Sequence, residues 1–179
     1  MDAGRPPDDR DKAMTRRAVV AYPALSPDDH RWIEGIRARC DPWARRIAAH
    51  FTLVFPTEVA EAPLEAELRH ALQSARPILV VLRRAAALPD AAGTGCHVLL
   101  PAEEGRSELA AIHEKLYEGA LAAHRRRDIP FMPHITLGAH PELVEGERIA
   151  RELNGEGRMV KGRIDRVDLI EVGESTVQR

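Results

Sequence analysis

Two segments of the chain spell one pattern. His50-Phe51-Thr52-Leu53 and His134-Ile135-Thr136-Leu137 stand about half of the 179 residues apart. With 8 His in the whole sequence, chance would produce far less than one such tetrad. On a β-strand, residues i and i+2 point to the same face. Each tetrad then presents an imidazole beside a hydroxyl, while Phe51 and Ile135 turn the other way, as core residues do. Neighbouring strands would bring two imidazoles and two hydroxyls to one cleft. That set suits phosphodiester chemistry without a metal. One neutral imidazole deprotonates water or a hydroxyl, one imidazolium protonates the leaving oxygen, and the threonines hydrogen-bond the phosphoryl oxygens. A lone His-x-Thr on a strand is ordinarily a half-buried histidine beside a β-favouring threonine. The duplication in matching contexts, after Ala49 and Pro133, moves the reading to catalysis.

The flanking sequence supplies elements to hold both strands. Ala18 to Tyr22 reads as a strand closed by Pro23. Ser26-Pro27-Asp28-Asp29 starts a helix, with a serine cap, a proline in the first turn and acids at the positive end of the dipole. Trp32, Ile33, Ile36 and Cys40 give that helix a buried face, and Pro42 ends it. His50 to Phe55 is a strand stopped by Pro56. Leu64, Leu68, Ala71, Leu72 and Ala75 mark a second helix ending before Pro77. Ile78 to Leu82 and Cys96 to Leu100 read as strands, with Pro89 to Gly95 as the turn between them. Leu109, Ile112, Leu116 and Ala120 predict a long helix from about Ser107 to His124. His134 to Leu137 is a strand closed by Gly138. A fourth helix carries Leu143, Ile149 and Leu153 and ends at Asn154-Gly155. A last strand runs from about Arg163 to Val172. Several connections are too short for helical crossovers, so the sheets are antiparallel or mixed, with helices outside.

Composition narrows the class. Hydrophobic residues make up 44% and charged residues 30% of the chain, as in soluble globular proteins. Lys+Arg total 26 against 28 Asp+Glu, a net charge of -2, which excludes a strongly basic nucleic-acid glove. No apolar run approaches the roughly 18 residues that span a bilayer, and no membrane association is expected. Residues 1–15, rich in Asp and Pro, read as a disordered leader without a secretory signal. Cys40 and Cys96 read as buried small hydrophobes, and a reducing, cytoplasmic setting is the simpler reading. His30, His70, His113 and His124 fall at polar helix edges without zinc spacing. His97 lies on a strand but lacks a threonine partner. His140 lies just beyond the second motif, from where it could line the cleft rim, and Arg125 to Arg127 form a solvated charge run that could draw in a phosphate backbone. No dinucleotide, P-loop or serine-hydrolase motif is present.

The two tetrads and their flanks, Ile47 to Pro56 and Pro133 to Gly138, resemble the signature of the two-histidine phosphoesterase superfamily. Its 2′-5′ RNA ligase-like branch includes RNA 2′,3′-cyclic phosphodiesterases. The resemblance extends loosely over about Ala18 to Val172. It implies an α+β, bilobal, pseudo-twofold fold in which antiparallel sheets form a central cleft and helices lie outside. It also implies that His50 and His134 are catalytic and that Thr52 and Thr136 bind the substrate phosphate.

The resulting expectation is a single bilobal domain over residues 16–179, a monomer without cofactor or metal. It would act as a phosphoric diester hydrolase on a 2′,3′-cyclic phosphate or a 2′-5′-linked nucleotide or RNA end. The motifs are so alike that either histidine fits either role. The alternatives are a nucleotide- or RNA-end-binding module with little turnover, and 2′-5′ RNA ligation, the reverse direction on the same groups.

Overall fold

The computed structural model describes residues 16–91, 93–173 and 177–178. The expected leader lies outside the described residues. The strands are β1 (Arg16–Ala21), β2 (Ala24–Leu25), β3 (Phe51–Thr57), β4 (Ile78–Leu82), β5 (Ala86–Pro89), β6 (Cys96–Glu104), β7 (His134–His140), β8 (Val160–Ile164), β9 (Val167–Val172) and β10 (Val177–Gln178). The helices are α1 (Pro27–Cys40), α2 (Glu61–Leu72), α3 (Arg106–Leu116) and α4 (Leu143–Gly155), with a 3₁₀ turn at Ala122–His124. Hydrogen-bonded neighbours follow the order β10-β9-β1-β3-β7-β6-β4-β8-β2, with β5 beside β6. Every pairing among the described residues is antiparallel. The fold is thus α+β, a curled antiparallel sheet with helices packed on it, as expected.

One apolar cluster unites the sheet with the helices. Phe51, Leu53, Ile135, Leu137, Val98 and Leu100 of the strands pack with Ile33 and Ile36 of α1, Leu64 of α2, Leu109 and Leu116 of α3, and Leu153 of α4. The opposite face carries a small cluster of Ala18, Val20 and Ile170, with Tyr22 and Ile47 against it. Only two residues, Asp165 and Arg166, separate β8 from β9. Those strands stand near opposite ends of the sheet order, and so short a link reaches only about 10 Å. The sheet must therefore curl until its ends nearly meet.

Several boundaries differ from the sequence expectation, each for a local reason. Strand β3 runs through Pro56 to Thr57, because Arg17 pairs with Thr57 while Val19 pairs with Val54. That irregularity is a bulge, a place where a strand tolerates a residue without an N–H. Helix α3 stops at Leu116 instead of reaching His124. The N–H of Ala120 is taken by the Glu67 carboxylate of α2 at 2.6 Å, and a Cβ on Gly119 would collide with that carboxylate. Strand β7 continues past Gly138 to His140. That glycine is a contact, since a Cβ there would lie 2.5 Å from the Cβ of Cys40, so α1 can sit directly on β7. The expected last strand is two, β8 and β9, and β5 lies just before the expected turn, in a stretch that carries no element in the sequence expectation, meeting the turn only at Pro89. Helix α1 is capped as expected, with Ser26 Oγ accepting from the Asp29 N–H at 3.1 Å. Its buried face, however, contains Arg37 beside Ile33 and Ile36.

Candidate active site

Phe51 of β3 and Ile135 of β7 face one another directly across the sheet, both fully buried on the helix side. Their burial, worth about 2–3 kcal/mol each, fixes the register. A slip of one residue would drive both imidazoles into the core. Alternation places His50, Thr52, His134 and Thr136 together on the opposite face, each half-buried. One step either side of the facing pair, His50 lies across from Thr136 and Thr52 across from His134. The two histidines occupy one diagonal of this quartet, a relation that sets Cβ atoms about 7 Å apart. The neighbouring strands add apolar walls: Val20 stands beside Thr52, and Leu99 and Pro101 stand beside Thr136 and His134.

Both rings are held the same way. His50 Nδ1 lies 2.8 Å from the carbonyl oxygen of Ala48, and His134 Nδ1 lies 2.6 Å from that of Met132. A carbonyl can only accept, so each Nδ1 carries the hydrogen and each Nε2 is the atom left to exchange a proton. Burial pushes both pKa values below the usual histidine value. The carbonyl bonds oppose that shift in both. For His50 the Arg37 cation and the charge of His134 add to the lowering, while Asp41 opposes it. The charge of His97 acts on His134 in the same lowering direction.

The segment leading to His50 rests on a buried ion cluster. The Arg37 guanidinium donates to Glu34 at 2.9 and 3.0 Å, to Asp41 Oδ2 at 2.8 and 3.0 Å, and to the Ile47 carbonyl at 2.8 Å. Glu34 also accepts the Ala49 N–H at 2.6 Å. The backbone on both sides of Ala48 is thereby tied to α1. The arm before His134 is held by the sheet instead, through the Ala102 N–H donated to the Pro133 carbonyl at 2.9 Å.

The 2′-5′ RNA ligase superfamily model matches residues 25–176. The chain belongs to that superfamily. Relatives include two provisionally named phosphoesterases. That of Bacillus licheniformis is 30% identical over 119 residues, covering 66% of this chain and 68% of the relative. That of Oceanobacillus iheyensis is 26% identical over 155 residues, covering 85% and 86%. The structure of Usb1 from Kluyveromyces marxianus shares the fold, with a TM-score of 0.55 at 12% identity over 92% of this chain and 96% of that one. A phosphoesterase of the 2′-5′ RNA ligase superfamily is the functional class these findings support.

Within this superfamily member, the weaker sequence candidates separate. His140 lies six residues along β7 from His134, about 20 Å away, with its Nδ1 accepting the Glu142 N–H at 3.1 Å; it does not join the quartet. His113 is not at a polar edge. It is buried, with Nδ1 2.8 Å from the Leu53 carbonyl and its ring stacked 3.7 Å from Phe131. His30, His70 and His124 are exposed. Cys96 is buried and Cys40 half-buried, both as free thiols. Among the described residues, no three His, Cys, Asp or Glu side chains gather as metal ligands, and no helix is long and apolar enough to cross a membrane. Sequence reasoning missed Tyr22, whose ring lies 6.0 Å from that of His50, and the Arg37 cluster. The signal for the latter was an arginine on the apolar stripe of α1, with acids three residues before and four after it.

Acid should weaken the fold before any carboxylate is titrated. His50, His113 and His134 all have folded pKa values lowered by burial, so the unfolded chain takes up protons first as pH falls through about 6.5. Stability is then flat above that pH and declines below it. Urea denaturation midpoints at pH 7.5 and 5.5 should differ, and His50→Gln with His134→Gln should remove part of the difference. Equal midpoints for the wild type would mean the imidazoles are not desolvated.

Proposed function

We propose that the protein is a metal-independent phosphoric diester hydrolase acting on 2′,3′-cyclic phosphate or 2′-5′-linked nucleotide or RNA ends. The observation that carries this reading is the repeated Nδ1-to-carbonyl bond, which leaves two proton-exchanging Nε2 atoms on one diagonal of a four-residue cluster. With a phosphate between them, one neutral imidazole takes the proton of water as its oxygen bonds to phosphorus. The other, as imidazolium, gives a proton to the ribose oxygen as its bond to phosphorus breaks. The Thr52 and Thr136 hydroxyls donate to the non-bridging oxygens, where negative charge grows. Ligation is the same path reversed. The free thiols suit a reducing, cytoplasmic setting.

The test is a panel of 2′,3′-cyclic nucleotides, RNAs with cyclic ends and 2′-5′ dinucleotides, assayed with EDTA present. Turnover of at least one class that survives the chelator is expected. Activity that disappears with EDTA and returns only with a divalent ion would overturn the metal-independent mechanism. Tight binding without turnover of any member would make the protein a binding module.

A further inference from the structure

A cavity of about 480 Å³ opens between α3 and the segment that leads into β7, on the helix-covered side of the sheet and so opposite the quartet. Its lining includes Arg125, Arg126 and Arg127 with Glu114, His113 and Phe131. His113 is the buried member, 5% exposed. Its Nδ1 donates to the Leu53 carbonyl at 2.8 Å, so the neutral ring carries its hydrogen there and Nε2 is a bare acceptor. Burial pushes the pKa of this imidazole below its usual value, which keeps Nε2 bare at neutral pH. Among the described residues nothing bonds Nε2. The described buried side-chain atoms without a partner are Arg17 Nε and Thr57 Oγ1. Nε2 is not one of them, so it still reaches solvent, and the cavity is the opening that His113 lines. The ring is not free to turn elsewhere, since Phe131 stacks on it at 3.7 Å and Tyr117 stands at 4.9 Å.

Around this acceptor stand cations. Arg125 donates to Glu114 at 2.5 Å, and Arg126 donates to Asp128 at 2.7 and 2.9 Å. Arg127 has no carboxylate partner among the described residues. Three guanidiniums against two carboxylates leave a surplus positive charge, and each guanidinium keeps unused N–H donors. A ligand that suits both features carries negative charge and also an O–H to give to Nε2. The geometry points to this cavity as a binding site for hydrogen phosphate, separate from the His50/His134 cluster. Its O–H donates to His113 Nε2, and its charged oxygens accept from Arg127 and from the unused donors of Arg125 and Arg126. Sulfate has the same shape and charge but no O–H, and turns a lone pair toward Nε2. A phosphomonoester fails in the same way above its second pKa of about 6. The assignment does not rest on the proposed function.

The experiment follows the imidazole nitrogen signals by NMR at about pH 7.5, above the roughly 6.5 of an ordinary histidine. Inorganic phosphate, sulfate and methyl phosphate are titrated at matched ionic strength. Phosphate should shift the His113 signals saturably. Sulfate and methyl phosphate should each bind there about 10-fold more weakly or worse, the effect of one lost hydrogen bond to a buried acceptor. Arg127→Gln, at an exposed position, should weaken phosphate at His113 by roughly 3- to 10-fold. The variant carrying both His50→Gln and His134→Gln should keep the His113 response unchanged, because phosphate drawn to the quartet is a different event. No saturable shift of His113 would overturn the site. Sulfate or methyl phosphate binding as tightly as phosphate would overturn it too, since nothing would then be donated to Nε2. So would undiminished binding in Arg127→Gln, or a His113 response that vanishes with the two quartet histidines.

Discussion

Replacing His50 or His134 with alanine is expected to lower turnover by about 10²-fold or more. The size of the effect follows from the duplicated geometry. Each ring is pinned at Nδ1 by the carbonyl two residues earlier, so each Nε2 is delivered to the open face with the orientation already set. An alanine removes both the proton carrier and its placement. The double variant should lose less than the product of the single losses, because an acid without its base has little left to do. Thr52→Ala and Thr136→Ala remove only a hydrogen bond to a phosphoryl oxygen and should cost about 10- to 100-fold. Since both imidazoles titrate below the usual histidine value in the free protein, the bell in kcat/KM should peak below about pH 6.5. Single-turnover rates at saturating substrate check the mutational part. Full activity in His134→Ala would refute a two-histidine mechanism for this protein.

Arg37→Met should be among the most destabilising single substitutions in the chain. The arginine side chain is 2% exposed and that of its partner Asp41 is 6% exposed. Removing the guanidinium leaves the buried Asp41 carboxylate and the Ile47 carbonyl without their donor, and breaking a buried pair from one side costs about 3–5 kcal/mol. For a chain of this size that lowers the melting temperature by about 10 °C or more. Activity should fall further than unfolding explains, measured well below the melting transition, because Ala48 is held between Ile47 and Ala49, both tied into the cluster. Arg37→Lys keeps the charge but not the planar fork, and should recover only part of either loss. A melting temperature within a degree of the wild type in Arg37→Met would show that the cluster is a solvated ornament of α1.

The quartet was legible because strand alternation is strict. Once Phe51 and Ile135 are core residues, their neighbours have one face left. The helix starts were legible for a similarly local reason, as with the cap formed by Ser26 and the acids after it. What escaped depends on distant contacts. Nothing near Gly119 announces that Glu67, on another helix, takes the Ala120 N–H and ends the helical path. Nothing near Asp165 announces that the strand there divides between two ends of one sheet. Arg37 was passed over although it stands on an apolar stripe, and its meaning required knowing that the loop before His50 folds back onto α1. His113 looked solvated because its carbonyl partner lies on β3.

The short link between β8 and β9 has a bearing on biosynthesis. Synthesis passes β1 long before β9, yet the neighbours of β1 are β3 and β9. Until Val167–Val172 emerges, β1 presents an unpaired edge, and the apolar Ala18 and Val20 wait for Ile170. Likewise β4 stays half-partnered until Val160–Ile164 arrives. Nascent chains therefore carry these open strand edges while the residues between the partners are made, the condition under which chaperone capture and edge-to-edge aggregation compete with folding. Closure of the sheet is an event of high contact order, slow relative to formation of the helices on its other face.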